Sequence, residues 1–211
     1  MKRRMQAIVP VLLVGWMLSG AALAGGGEAS LLLGQKALAD DEFEDAGADS
    51  APQFGVAVSL DFDWPVSLAL DLLSSSDDNT LDLSSTFPYQ IATDVETLEL
   101  NLGVRKFFLK DTKWRPYVGG GLAWIDLDVD QVESGSFGPG TEYETTVVDD
   151  SDSGAGVWLD GGFLYRFGSF HAGVDVRWSD ASADLVPNGT TGSVDLDSGG
   201  IQYSAAFGYH W

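Results

Sequence analysis

The last eleven residues of the chain alternate between two kinds of side chain. Apolar residues occupy every odd position from Ile201 to Trp211, and small or polar residues occupy the even ones. Because side chains alternate across a pleated strand, this period of two predicts a strand with one apolar face and an aromatic carboxyl end. The fold depends on whether that apolar face meets a protein core or lipid.

The opening of the chain is typical of a secretory signal peptide. Basic residues at 2–4 precede an apolar run over 7–18, and an Ala-Leu-Ala sequence follows at 22–24. The apolar run is shorter than the ~20 residues that a membrane-spanning helix needs. We therefore predict a signal peptide over 1–24 and a single exported domain over 25–211.

Composition narrows the class of the exported domain. The net charge of −21 becomes −24 when the three cations at 2–4 are removed, so the chain cannot neutralise phosphates and nucleic acid is excluded as a partner. The sequence has no cysteine, which excludes disulfides and thiolate metal sites. Gly, Ser, Asp and aromatic residues are plentiful, and no segment has a long amphipathic helical pattern. This composition indicates an all-β domain.

Eight segments have the pattern of β-strands, and long and short connections alternate between them. The predicted strands cover 29–38, 53–62, 66–72, 97–105, 116–126, 157–167, 170–179 and 201–211. In the second strand Phe54 and Val56 share one face, and Gly55 and Ala57 share the other. The first strand is the weakest because three leucines are consecutive, and the glycines at 119–121 leave the faces of the fifth unassigned.

The composition of the second face distinguishes lipid from a protein core. A soluble lipocalin-like barrel would have the same alternation, but its water-facing side would be rich in Lys, Glu, Thr and Gln. Here that face carries mostly Gly, Ala and Ser, and lysine avoids the strands except at Lys36 and Lys106. Such residues fit the narrow interior of a small barrel, which places the apolar face in lipid. We therefore predict an eight-stranded antiparallel up-and-down transmembrane β-barrel, closed because hydrocarbon does not tolerate an open edge.

The aromatic residues are expected to form two belts. With the amino terminus in the periplasm, one group falls at the periplasmic end: Phe62, Trp64, Phe107, Phe108, Trp114, Tyr117, Tyr165, Phe167, Phe170, Tyr209 and Trp211. A smaller group falls near the opposite end: Phe54, Trp124, Trp178 and Tyr203. Aromatic belts on both sides of an aliphatic band are typical of a protein that crosses a bilayer.

Together these features give the chain a family resemblance. The stretches over 104–108 and 114–122 and the terminal residues over 207–211 resemble the small outer-membrane β-barrels of Gram-negative bacteria, the OmpA-like and OmpW-like group. The resemblance implies location in the outer membrane and recognition of the C-terminal strand, with Phe207, Tyr209 and Trp211, by the barrel-assembly machinery. We expect a monomer without the peptidoglycan-binding domain of OmpA-type proteins.

The long connections over 39–52, 74–94, 126–154 and 180–199 are predicted to be acidic extracellular loops. They contain 23 of the 32 acidic residues and no Lys or Arg. One interpretation is that this charge keeps mobile loops solvated beside lipopolysaccharide. The other is that the carboxylates bind calcium or magnesium, which prefer oxygen ligands. The candidate ligands are Asp126, Asp128, Asp130, Asp149, Asp150 and Asp152.

Charged residues on the inward faces form the second candidate site. They are Asp71, Glu99, Arg105, Asp160, Arg166, Asp175 and Arg177. We expect Asp160, Asp175 and Arg177 to pair, because they lie on adjacent strands and buried charge is tolerated only when paired or hydrated. We expect Arg105 and Arg166 at the periplasmic end, which leaves Asp71 and Glu99 without an obvious cation at mid-height. The interior is either a salt-bridged plug or a narrow path that favours cations.

Catalysis and cofactors are not expected. Hydrolytic chemistry needs a nucleophile, a base and an orienting acid, and the two histidines, His171 and His210, both point inward at the periplasmic end. We predict a non-enzymatic structural or surface protein whose partners are outer-membrane lipid and lipopolysaccharide. The alternative is passive passage of small cationic or apolar solutes, either through a narrow porin-like lumen or, as the OmpW-like resemblance implies, laterally through the wall.

Overall fold

The computed structural model describes residues 26–38, 50–82, 89–109, 111–136, 142–185, 194–197 and 199–211. The strands in these ranges are β1 Gly26–Leu38, β2 Ser50–Asp61, β3 Ser67–Asp82, β4 Tyr89–Phe107, β5 Trp114–Ser136, β6 Glu142–Phe167, β7 Phe170–Asp180, β8 Ser182–Leu185, β9 Val194–Asp197 and β10 Gly200–His210. Within the same ranges no helix has the length and apolar character to cross a membrane. The predicted signal peptide lies outside the described residues.

Eight of the strands close into an antiparallel barrel, as the sequence predicts. Their order around the barrel is β1-β10-β7-β6-β5-β4-β3-β2, and β8 and β9 form a separate hairpin. Following paired residues once around the barrel from Glu28 returns to β1 at Leu38, which is a stagger of 10 residues (38 − 28). For eight strands this stagger corresponds to a strand tilt of about 40° and an interior just wide enough for side chains.

The side chains alternate across the barrel wall in all eight barrel strands. In β1, Leu31 and Leu33 face outward with 48% and 60% exposure, whereas Leu32 between them faces inward with 2%. The unassigned faces of β5 are also resolved. Gly120 pairs with the outward residue Leu159, and Gly121 pairs with the buried Trp158, so the second of these glycines faces inward.

The prediction of loops over 74–94 and 126–154 is wrong, because both segments consist mostly of β-strand. The β3–β4 and β5–β6 hairpins continue through much of 74–94 and 126–154. The prediction took the end of the apolar alternation as the end of each strand. Backbone pairing continues beyond that point because an antiparallel ladder does not require an apolar face where it leaves the membrane. Within the predicted loop over 180–199, β8 pairs with β9.

Most of the predicted periplasmic belt lies on the outside of the barrel near the short turns. Trp64, Trp114 and Phe170 are each about half exposed, and Trp114 contacts the ring of Tyr165 at a centroid distance of 4.7 Å. The prediction is wrong for Phe107 and Tyr117, which are 4% and 6% exposed and lie inside the barrel. Phe107 shares the inward face of β4 with Arg105, and Tyr117 shares the inward face of β5 with Arg115. The sequence alone leaves the faces of β5 unassigned.

Candidate functional site

The inward-facing charged residues form three layers along the barrel axis. The lower layer, near the short turns, contains Glu28, Arg115 and Arg166. The upper layer is centred on Glu99 and Lys36. Between them lies the central ion network, which consists of Asp71, Arg105, Asp160, Asp175 and Arg177.

Asp71 is the centre of the central ion network. Its Oδ2 atom accepts hydrogen bonds from Nη2 of Arg105 at 2.8 Å and from Nη2 of Arg177 at 2.7 Å. The carboxylate is 0% exposed. Asp71 lies on β3 and Arg177 lies on β7, four strands away in either direction around the barrel. This ion pair therefore spans the full diameter of the lumen.

Asp160 connects the two arginines a second time. It accepts a hydrogen bond from Nε of Arg105 at 2.9 Å and lies 3.5 Å from Nη2 of Arg177. Asp175 lies 3.9 Å from Nε of Arg177 and accepts a hydrogen bond of 2.6 Å from the hydroxyl of Tyr117. Each buried charge in the network thus has at least one oppositely charged neighbour, which offsets the cost of removing it from water.

Aromatic rings enclose the two guanidinium groups. The Cζ atom of Arg177 lies 5.1 Å from the ring centroid of Trp158, and that of Arg105 lies 5.6 Å from the same ring. Arg105 also lies 5.3 Å from the ring centroid of Tyr117. Trp158 is 0% exposed. Rings at these distances attract cations through their quadrupoles and exclude water from the ion pairs.

Gly119 makes the link between Arg105 and Asp160 sterically feasible. Arg105, Gly119 and Asp160 occupy consecutive positions in one row of paired residues across β4, β5 and β6. A Cβ atom on Gly119 would overlap Oδ1 of Asp160 and would lie 3.3 Å from Cγ of Arg105. Because glycine has no side chain, Arg105 reaches across β5 to a carboxylate two strands away.

The substitution Gly119→Val is expected to lower the free energy of unfolding by about 1–3 kcal/mol, the usual cost of overpacking. Urea unfolding of the protein in lipid vesicles, followed by circular dichroism, measures this difference. The matched control is Gly161→Val on β6, because a Cβ there meets its nearest atom at 3.7 Å. Equal losses in the two variants would contradict the steric role of Gly119.

The upper layer also contains a contact across the diameter of the lumen. Glu99 on β4 accepts a hydrogen bond of 2.7 Å from Nε2 of Gln202 on β10, the strand opposite. Its Oε2 lies 3.5 Å from Nζ of Lys36, and its Oε1 accepts a 2.7 Å hydrogen bond from the amide of Asn101. Gln53 donates to the amide oxygen of Gln202 at 3.0 Å and extends the layer to β2.

The lower layer contains a third contact across the diameter. Nη1 of Arg115 on β5 donates to Oε2 of Glu28 on β1 at 3.0 Å, and Nη2 of Arg166 lies 3.6 Å from the same oxygen. Beside them, Nε2 of His171 lies 2.7 Å from Oγ of Ser30. His171 is 0% exposed, as expected for an inward residue at this end.

The predicted distribution of interior cations is wrong in two respects. Arg105 does not stay at the periplasmic end but reaches Asp71 and Asp160, and Glu99 has Lys36 beside it. Asp71 and Glu99 therefore both have cations. The sequence gives relative heights along the barrel axis only for residues on adjacent strands. The 10-residue stagger and the narrow lumen bring together side chains from opposite strands.

Sequence reasoning missed several members of these layers. Arg115 and Glu28 face inward but are absent from the predicted set, and the unresolved parity of β5 is the reason for Arg115. Trp158 is inward by its parity with Asp160, but the sequence does not predict its contacts with the two arginines. The signal that could have identified Arg115 is its alternation with Tyr117, Gly119 and Gly121 on a strand whose other face carries Trp114, Val118 and Leu122. Glu28 lies in β1 one position before the predicted start of the first strand.

The candidate metal ligands whose side chains the structure describes lie on two faces of the β5–β6 hairpin. Asp126, Asp128 and Asp130 follow the outward residue Trp124 on one face of β5, whereas Asp152 pairs with the buried Leu127 and lies on the opposite face. The register pairs Asp149 with Asp130 and Asp150 with Val129, but the side chains at 149 and 150 lie outside the described part of the structure. No group of three or more potential ligands is found among the described residues.

Little space remains between the lower layer and the central ion network. A cavity bordered by Glu28, Ser30, Arg105 and Tyr117 has a volume of about 10 Å³. This is about the room that one water molecule needs. In the described part of the barrel, the three layers therefore fill the lumen rather than line a channel.

The comparison with known protein families agrees with this geometry. The family model of the outer membrane protein beta-barrel domain matches residues 10–210. The chain belongs to this family. As a member of it, the protein resides in the outer membrane of Gram-negative bacteria, with short turns on the periplasmic side and long hairpins outside.

Solved outer-membrane barrels share the fold at low sequence identity. The outer membrane protein OprG from Pseudomonas aeruginosa is 14% identical, with a TM-score of 0.57 over 89% of this chain and 96% of that one. Ail, the attachment invasion locus protein of Yersinia pestis, is 13% identical, with a TM-score of 0.52 over 89% of this chain and 99% of that one. No curated protein sequence matches the chain. These likenesses concern the fold of the outer-membrane barrel.

Proposed function

We propose that this outer-membrane barrel is a non-enzymatic structural and surface protein with a lumen closed to solutes. The observation that carries the proposal is the set of hydrogen-bonded contacts between diametrically opposite strands. They join Arg115 to Glu28 at 3.0 Å, Arg177 to Asp71 at 2.7 Å and Gln202 to Glu99 at 2.7 Å. A solute would have to break all three, and each break would remove a hydrogen bond from a buried carboxylate.

The surroundings of the histidines support a role without catalysis. Ser30 and His171 approach as closely as a nucleophile and its base would, but both are buried. Nδ1 of His171 has no hydrogen-bond partner among the described residues, so no carboxylate orients the ring. A hydrolytic triad requires that third group and access for a substrate.

The proposed partners follow from the two ends of the barrel. The acidic hairpins meet the medium and lipopolysaccharide, and the aromatic outward face of β10, with Phe207, Tyr209 and Trp211, carries the signal for the barrel-assembly machinery. All eight barrel strands are paired within one chain, which supports a monomer. Within the described residues, the barrel has no unpaired edge strand to which a second copy of the chain could add a strand.

Planar-bilayer recordings test the closed lumen. We expect the reconstituted protein to produce no discrete conductance steps, because ion pairs and glutamine contacts cross the barrel in three layers. Discrete steps with cation preference would contradict the proposal. If the double variant Asp71→Asn, Glu99→Gln abolished that preference, the narrow cation path would be the correct function instead.

The alternative function, lateral passage of apolar solutes through the barrel wall, is tested by an uptake experiment. Uptake of a small apolar fluorescent compound into vesicles should be the same with and without the protein. A rate that rises with protein content, without electrical conductance, would replace the structural role by lateral passage.

A further inference from the structure

The turn between β4 and β5 differs in charge from the other two short turns. Lys106 ends the outward face of β4, Lys113 precedes β5, and the exposed Asp111 lies between them, so cations outnumber anions here. The turn at 62–66 contains Asp63 and no cation, and the turn at 168–169 consists of Gly and Ser. The periplasmic end is thus basic on one side of the barrel, whereas 23 of the 32 acidic residues lie in the connections at the opposite end.

Lys106 lies on the lipid-facing side of the barrel wall. Its strand neighbours Arg105 and Phe107 are buried inside, and Val104 and Phe108, on its own face, are 43% and 41% exposed. Among Lys and Arg side chains that the structure describes, Lys106 is the one on the outward face of a barrel strand. A soluble macromolecule has no access to a position between apolar side chains in the wall, but a lipid headgroup does.

The lysine side chain is directed towards the headgroup region. Nζ of Lys106 lies 5.7 Å from the ring centroid of Phe108, which is two residues closer to the turn. The position is one residue before the end of β4. A long apolar stem that carries its charge from the hydrocarbon to the interface is the usual behaviour of lysine at a membrane boundary.

Lys113 presents a second cation from an ordered backbone. Its carbonyl accepts a hydrogen bond of 2.8 Å from the backbone N–H of Arg166, and Thr112 donates to the carbonyl of Leu109 at 3.0 Å. Trp114, next to it, packs on Phe163 at a centroid distance of 4.8 Å. No ion pair with Lys106 or Lys113 is found within the described ranges.

We propose that Lys106, with Lys113 in the adjoining turn adding positive charge, binds the phosphate of an anionic phospholipid in the periplasmic leaflet of the outer membrane. The two ammonium groups supply the charge, and Phe108 and Trp114 supply apolar and aromatic surface at the depth where acyl chains meet headgroups. Lipid binding here goes beyond the closed-lumen role, because it concerns the outside of the barrel and does not require the lumen to be closed.

Electron spin resonance of the full protein in phosphatidylcholine vesicles tests this site. Spin-labelled phosphatidylglycerol should be retained at the protein surface about three- to fivefold more than spin-labelled phosphatidylcholine. The double variant Lys106→Gln, Lys113→Gln should reduce that ratio to about one. The variant Lys106→Arg, Lys113→Arg should retain the preference, because it keeps both charges.

A matched control separates a local site from the effect of net charge. The variant Gln90→Glu, Thr145→Glu makes the same change of two charge units at exposed positions of the opposite end and should keep the wild-type ratio. An equal loss in this control, or a wild-type ratio near one, would overturn the proposal. Sedimentation with purified peptidoglycan that depends on the two lysines, while lipid preference does not, would assign them to the cell wall and overturn it as well.

Discussion

The substitution Asp71→Ala is expected to lower the free energy of unfolding by about 3–5 kcal/mol, the usual cost of removing one partner from a buried ion pair. Asp71 accepts hydrogen bonds from both Arg105 and Arg177 and is 0% exposed. Without it, the nearest carboxylate oxygens to Arg177 belong to Asp160 at 3.5 Å and Asp175 at 3.9 Å. Urea unfolding in vesicles, followed by circular dichroism, gives the free energy.

Two further variants identify the source of this loss. Asp63→Ala removes an exposed carboxylate in a short turn and should change the free energy of unfolding by no more than about 0.5 kcal/mol. Asp71→Asn keeps an oxygen that accepts hydrogen bonds and should cost less than Asp71→Ala. If Asp71→Ala were as mild as Asp63→Ala, the central ion network would not contribute to the stability of the barrel.

The substitution Trp158→Ala is expected to have a loss of similar size, about 3–5 kcal/mol, which is typical of removing a large buried aromatic side chain. The indole is 0% exposed and lies against the guanidinium groups of Arg105 and Arg177. Its removal leaves a cavity beside two cations, and water that enters it weakens the ion pairs. Circular dichroism is the appropriate probe here, because the mutation changes tryptophan fluorescence.

Trp178→Ala is the matched control for this experiment. Trp178 lies on the next strand, pairs with the outward residue Leu159 and is 41% exposed towards lipid. We expect its replacement to cost about 1 kcal/mol, the ordinary effect of a point mutation. A larger loss for Trp178→Ala than for Trp158→Ala would mean that lipid-facing aromatic residues, rather than the packed lumen, dominate the stability.

The alternation of side chains predicted the wall of the barrel well because it depends on local geometry. In β10, Tyr203 and Phe207 face outward and Gln202 and Ala206 face inward, as their parity requires. The same rule failed at the outer ends of β3 to β6. Pairing of backbone groups continues there without an apolar face, so the hydrophobic pattern carries no information about where these strands end.

Partner choice inside the lumen could not be predicted in the same way. Parity identifies Asp71, Glu99 and Arg177 as inward residues, but it does not give the height of each one relative to strands that are not adjacent. Glu99 and Gln202 meet only because β4 and β10 lie opposite each other in the closed barrel. Because Gly119 has no side chain, Arg105 can reach Asp160. In the sequence, the same glycine only prevented the assignment of the two faces of β5.

The sequence by itself determined which residues face lipid and which face the axis, since a period of two is a property of each strand alone. Together with the small residues of the inward face, this pattern predicted a membrane-spanning β-barrel. Only the tertiary structure decided which inward charges pair with one another across the lumen. Those contacts depend on the stagger and diameter of the closed barrel, which are properties of all eight strands together.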